Sequence, residues 1–425
     1  MNTGDTAWVL ASSALVLLMT PGLAFFYGGM TRSKSVLNMM MMSFGTIGVV
    51  SLLWVLYGFS VAFGESKSSL WGGLDWAGMK HMTSIETTVN GSVYGIPLLV
   101  FAAFQLMFAV ITPALISGAI ADRAKFGTWL LFVTLWVTIV YFPVAHWVFD
   151  FGDKNGDGAG WLAAKGVLDF AGGTAVHVNA GAAGLALAIV LGKRVGWKKD
   201  PMRPHSLPLV MLGAGLLWFG WFGFNAGSAL GANALAGQAF FTTMIATATA
   251  MLGWMLVEAI RDKKATSLGA ASGAVAGLVA ITPACAFVTP IGAVGLGIVA
   301  GAVCALAVGL KYKLGFDDSL DVVGVHLVGG AIGALSLGFI SNYSGTEGLF
   351  YGGKIIVLEH QALAVVAVGG FSFVVAFILA KLLDLTIGFR LNEEDEVTGI
   401  DQVEHLETAY EFAGSGGGSH LTKEI

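Results

Sequence analysis

Apolar windows of about twenty residues alternate with short polar connections along the chain, at 6–28, 38–63, 94–121, 128–149, 166–191, 207–225, 235–260, 267–288, 292–312, 321–342 and 360–386. Each can cross about 30 Å of hydrocarbon as an α-helix rising about 1.5 Å per residue. The pattern predicts an all-α polytopic membrane protein with eleven transmembrane helices. The connections sort by charge. Alternate ones hold Arg32 and Lys34; Arg123 and Lys125; Lys193, Arg194, Lys198, Lys199 and Arg203; Arg261, Lys263 and Lys264; Lys311 and Lys313, whereas the intervening ones hold only Lys67, Lys80, Lys154, Lys165 and Lys354. Basic residues stay on the cytoplasmic side, so the N-terminus is expected outside and the C-terminus inside. The first run, Trp8 to Tyr27, lacks a small-residue cleavage site after it and is expected to be the first membrane helix. Past residue 388 the character changes to Asn392-Glu393-Glu394-Asp395-Glu396 and a Gly/Ser-rich end, Gly414 to Ser419. Residues 1–388 are therefore read as the membrane domain and 389–425 as a cytoplasmic tail.

Composition agrees. The chain is 56% hydrophobic and only 12% charged, half the charged fraction of a soluble domain. Its 60 glycines suit helices whose backbones approach closely in lipid. No basic stripe suggests nucleic acid. Cys285 and Cys304 lie in apolar runs without metal-ligand spacing and are expected to be packing residues. The acidic members of one outer connection, Asp150, Asp153 and Asp157, suit a solvated loop or a cation-concentrating entrance.

Against that background the stretch Asp169 to Gly184 stands out, because it sets a carboxylate and an imidazole, His177, in a membrane window. A weak repeat links it to a second such place. Ile111-Thr112-Pro113-Ala114 in the third window recurs as Ile281-Thr282-Pro283-Ala284 in the eighth. An offset of five helices inverts the topology, so helices 1–5 and 6–10 read as inverted repeats with a path at their interface near the midplane. The same offset sets the fifth window against the tenth, whose Asp321 to His326 also joins a carboxylate to a histidine. His177 lies roughly 12 Å past Asp169, and His326 roughly 7.5 Å past Asp321 from the opposite side. The two imidazoles either meet in mid-membrane or are separately satisfied by helix carbonyls. A meeting pair suits a small polar molecule that exchanges a proton; it makes an incomplete shell for a metal.

Rings supply the next clue. Phe101, Phe104 and Phe108 share one face of the third helix, and Trp218 to Phe224 carry rings towards Ser228 on the sixth. With Trp147, Phe149 and Trp161 near the outer end of the fourth helix, they form either ordinary core or a vestibule that attracts a cation by ring quadrupoles.

Three stretches, Asp169 to Asn179, Trp221 to Ser228 and Asp321 to His326, resemble signatures of the Amt/Mep/Rh ammonium transporters, nearest the bacterial Amt branch. The resemblance implies a twin-histidine pore of His177 and His326, a phenylalanine gate of Phe108 and Phe224, a pore-lining Trp221, and a recruitment site with the Ser228 hydroxyl and the buried Asp169 carboxylate beside Phe104. Asp169 is also a natural helix cap, and Asp321 is expected to be no more than a cap for the tenth helix. A vestibule tryptophan of the family is missing after His146-Trp147-Val148; Phe149 or, preferentially, a folded-back Trp161 supplies that ring. The resemblance further implies a homotrimer, and a PII-type signal protein docking at the tail, with no cofactor and no metal. The expected function is passage of ammonium/ammonia across the inner (cytoplasmic) membrane, without enzyme chemistry. Competing readings are an ammonium sensor, a Rh-like neutral gas channel and an intramembrane metalloenzyme using the two histidines.

Overall fold

A computed structural model describes residues 1–65, 68–80, 82, 87–89, 92–152, 156–200 and 202–410. Lys67, Asp153, Lys154 and the Gly/Ser-rich end lie outside them. Among the described residues, ten helices are long and apolar enough to span a membrane: α1 (Thr3–Met30), α2 (Val36–Phe63), α3 (Leu98–Ile120), α4 (Phe126–Phe149), α5 (Gly173–Leu191), α6 (Leu207–Gly227), α7 (Ala234–Arg261), α9 (Pro290–Leu314), α10 (Val323–Ile340) and α11 (Ile356–Thr386). Between α7 and α9 lies α8, Ser267–Ile281, shorter at 15 residues. The eighth window is not one helix, because Thr282–Val288 turns out of it into the start of α9. A small hairpin of β1 (Thr87–Val89) and β2 (Ser92–Tyr94) precedes α3.

The helices start where side chains can take up the first free N–H groups. Asn2, Ser206, Asn233, Thr266 and Thr289 each accept a backbone N–H of the helix that follows, opening α1, α6, α7, α8 and α9. Glycine then sets how close neighbours come. A Cβ on Gly213 of α6 would sit 2.3 Å from the backbone nitrogen of Phe26 on α1. One on Gly181 of α5 would sit 2.3 Å from that of Leu327 on α10. The second contact matters most, because it lets the two histidine-bearing helices cross at backbone distance.

The chain's N-terminal end and its tail mark opposite faces. At the first, Asn2 N–H donates to the Gly95 carbonyl and Asp5 accepts from Ala232 N–H. At the other, α12 (Glu393–Thr398) and α13 (Ile400–His405) lie on the inter-helix loops. The Asp401 carboxylate accepts the Leu37 and Asn38 N–H groups at 3.0 and 2.8 Å, capping α2, and Glu404 accepts Phe126 N–H at 2.9 Å, opening α4. Glu396 pairs with Arg390 at 2.8 Å and Arg32 at 3.4 Å. Arg194 bridges Asp122 and Asp317 at 3.0 and 2.9 Å. Burial would lift Asp317, but hydrogen bonds and charge from Arg194 hold it below the usual carboxylate range. Burial brings Arg123 down to about 10 against the pull of Asp317. The acidic tail up to residue 410 is thus seated on the chain's own loops.

Candidate functional site

Alpha-5 begins from an irregular segment. Residues 166–172 are apolar but not helical, and Gly172 turns the chain with φ +118, a conformation only glycine adopts cheaply. Asp169 then satisfies the first turn almost alone. One carboxylate oxygen accepts the N–H groups of Gly172 and Gly173 at 2.8 and 2.6 Å; the other accepts those of Thr174 and Ala175 at 2.8 and 3.2 Å and the Thr174 hydroxyl. Asp169 is therefore a cap and also a wall residue of a cavity at the N-terminal face.

That cavity has a volume of about 290 Å³. Phe101, Phe104, Phe108, Phe149, Asp169 and Ser228 line it. Trp161 does not. It opens a one-turn helix, Trp161–Ala164, and its ring lies edge-on against Trp147 at 5.7 Å, so Phe149 is the ring that faces the cavity. Asp150 is not a solvated loop residue either: it is 1% exposed, accepts Gly152 N–H and lies 3.1 Å from His146. Gln105, Phe151, Leu168 and Phe287 join the lining unannounced. Gln105 carried a signal, as a lone amide inside the phenylalanine stripe. The Ser228 hydroxyl donates to the Phe224 carbonyl at 2.8 Å, which leaves its oxygen lone pairs as acceptors for a cation.

From the cavity, ring contacts run inward without a break. Phe108 meets Phe224 with centroids 4.4 Å apart, Phe224 lies 6.0 Å from His177, and Trp221 lies 5.3 Å from it, nearly parallel. Trp221 is held by its indole N–H donating to Thr282 Oγ1 at 2.8 Å, one residue of the repeated Ile-Thr-Pro-Ala. His177 Nδ1 and His326 Nδ1 are 3.3 Å apart, both side chains buried. Each histidine lies in a π-helical stretch, Gly173–Val178 and Val323–Leu327, the locally widened form that recurs at functional sites. Two neutral imidazoles sharing one hydrogen between their Nδ1 atoms must present opposite characters at Nε2, one a donor and one an acceptor. His177 Nε2 has no protein partner among the described residues.

A sequence model of the Ammonium Transporter Family matches residues 7–410. The chain belongs to this family. It is 60% identical to an ammonium transporter of Mycobacterium tuberculosis H37Rv, covering 97% of this chain and 91% of that one. Its fold is similar to that of Candida albicans Mep2, with TM-score 0.84 at 33% identity over 93% of this chain and 87% of that one. It is also similar to a protein titled Sensor Amt Protein, with TM-score 0.87 at 29% identity over 95% and 98%. Membership of the family and ten apolar helices make the chain a multi-pass membrane protein.

At the tail face the sequence reading needs one correction. Asp321 does not cap α10. Its backbone is left-handed, φ +65, and its carboxylate turns to Lys311 at 2.7 Å. The cap is Asp318, which accepts the N–H groups of Val322 and Val323 at 3.1 and 2.8 Å. Burial pushes Asp318 up to about 6, against the pull of Lys311. The spacing held the clue: His326 follows Asp318 by the same eight residues by which His177 follows Asp169.

Proposed function

We propose that this chain conducts ammonium/ammonia across the cytoplasmic membrane along the line of rings from the cavity to the histidine pair. The observation that carries this reading is the 3.3 Å contact between His177 and His326 behind the Phe108–Phe224 pair. An intact NH₄⁺ entering so apolar a passage would lose hydration worth several kcal/mol even after relaxation. NH₃ avoids that cost and still finds one donor and one acceptor at the imidazoles. Recruitment then belongs to the cavity, where Phe104, Phe108 and Phe149 offer ring faces and Ser228 an acceptor, with Trp161 supporting from behind Trp147. The proton is given up to cavity water before or between the phenylalanines and crosses separately by way of the two imidazoles to rejoin NH₃ beyond them, so that one net charge moves per molecule.

In this reading α1 to α11 all span, the N-terminal face is outside, and the two five-helix halves are inverted repeats. The chain assembles as a homotrimer with a pore in each subunit, and the seated tail offers the inner face to a PII-type signal protein. Among the described residues no group of three or more His, Cys, Asp or Glu is arranged to hold a metal ion.

The test is reconstitution in liposomes on a solid-supported membrane, pulsing NH₄⁺ against equal K⁺. A saturating NH₄⁺-specific current is expected. Internal alkalinisation without current would make the carried species net NH₃, as in the Rh-like reading. Silence in both assays would reject transport and favour the sensor.

A further inference from the structure

We propose that Gln361 on α11 is a positioning residue for cation recruitment, fixing the wall of the outer cavity at Leu168 and so setting the apparent affinity for a small cation. The proposal rests on the transport reading above. Gln361 is fully buried, and a buried amide is costly unless its hydrogen bonds are made. All of its donors are used. Oε1 accepts Leu168 N–H at 2.8 Å, while Nε2 donates to the Leu168 carbonyl at 2.7 Å and to the Ala334 carbonyl at 3.1 Å. The amide thus closes a two-bond ring with one residue, as a neighbouring strand would, and ties that residue to the helix that carries His326.

Such a clamp is needed because 166–172 has no ladder or helix of its own. Its start is held by Gly166 and Val167 N–H donating to the Ala163 and Leu162 carbonyls, and three attachments fix the rest: Gln361 at Leu168, the Asp169 carboxylate on the turn ahead, and Phe170 N–H donating to the Pro283 carbonyl at 3.2 Å. Leu168 and Asp169 line the cavity. The histidines lie further along α5 and α10, held by the Gly181 crossing. Loosening Leu168 therefore reshapes the cavity and leaves the inner path in place.

The experiment measures NH₄⁺ saturation in liposomes for the wild type, Gln361→Met, which keeps length but not hydrogen bonds, and Gln361→Glu, which, held neutral by burial, keeps an acceptor for Leu168 N–H and only one of the two donors. Half-saturation is expected to rise about three- to ten-fold in Gln361→Met, with the maximal rate per folded transporter within about two-fold of wild type. Gln361→Glu is expected to shift in the same direction, and it decides the question if the Met variant does not fold. An unchanged half-saturation, with only less folded protein or a lower maximal rate, would make Gln361 a packing residue and overturn the proposal. A wild type that carries no NH₄⁺ would instead overturn the transport reading.

Discussion

The two segments that deliver the histidines use one device with different surroundings. In each, a buried aspartate eight residues ahead caps a π-helical turn, Asp169 before His177 and Asp318 before His326. Asp169 is satisfied by four backbone N–H groups and a hydroxyl, and among the described residues no protein cation pairs with it. Asp318 accepts only two N–H groups, and Lys311 stands beside it, donating to its carbonyl at 2.8 Å and pairing with Asp321. The segment at the tail face carries its own countercharge. The one at the N-terminal face opens its carboxylate wall to a cavity that, in the proposed function, receives a cation.

Breaking the Asp169 cap should cost most. Asp169→Ala leaves four N–H groups and the Thr174 hydroxyl without an acceptor, an expected loss on the order of 5 kcal/mol. Folded yield and thermal unfolding in detergent would measure it, and a smaller loss than Asp318→Ala would reverse the comparison. Next, Lys311→Met leaves Asp321 and Asp318 without their cation, about 3 kcal/mol. Adding Asp321→Asn should restore part of that; no restoration would mean that Lys311 acts through its bond to the Asp318 carbonyl alone.

The Asp318 cap should also show in the pH dependence of stability. Burial raises Asp318 from 3.8 to about 6, so the folded state holds its proton more tightly than the unfolded chain. The corresponding stability is complete below about pH 4 and is lost as pH rises to about 6, at most about 3 kcal/mol. The wild type minus Asp318→Asn difference in unfolding midpoint should fall across that window; a flat difference would remove Asp318 as the titrating group. The smallest effect is expected from Ser228→Ala, a few-fold rise in NH₄⁺ half-saturation, about 1 kcal/mol, with the histidine path unaltered. A change in K⁺ exclusion instead would move selectivity out to the cavity.

Hydropathy located the membrane helices well, and it misjudged two stretches for one reason. Residues 166–172 and 282–288 lie in apolar windows yet are irregular, because local turns and side chains of other helices, Gln361 at Leu168 and Gln238 and Thr242 at 285–288, satisfy their backbone. Periodicity brought the Phe101–Phe108 stripe within reach, and the recurrence of Ile-Thr-Pro-Ala five helices apart did the same for the histidine pairing. What it missed depends on distant partners. Gln361 meets Leu168 across 193 positions. The ring at the cavity depends on distant packing, which sets Phe149 in the lining and Trp161 against Trp147. The cap of α10 is Asp318 and not Asp321, and the eight-residue spacing to the histidine matches Asp318.

The central claim is that the paired imidazoles lie on the path of the transported molecule and give it selectivity. It is tested most directly by comparing NH₄⁺ and K⁺ responses of liposomes holding equal amounts of folded wild type, His177→Ala, His326→Ala and the double variant. The account predicts a saturating NH₄⁺ response without K⁺ passage in the wild type, and its loss, or the admission of K⁺, in every variant. Unchanged NH₄⁺ flux with K⁺ still excluded in the double variant would contradict it.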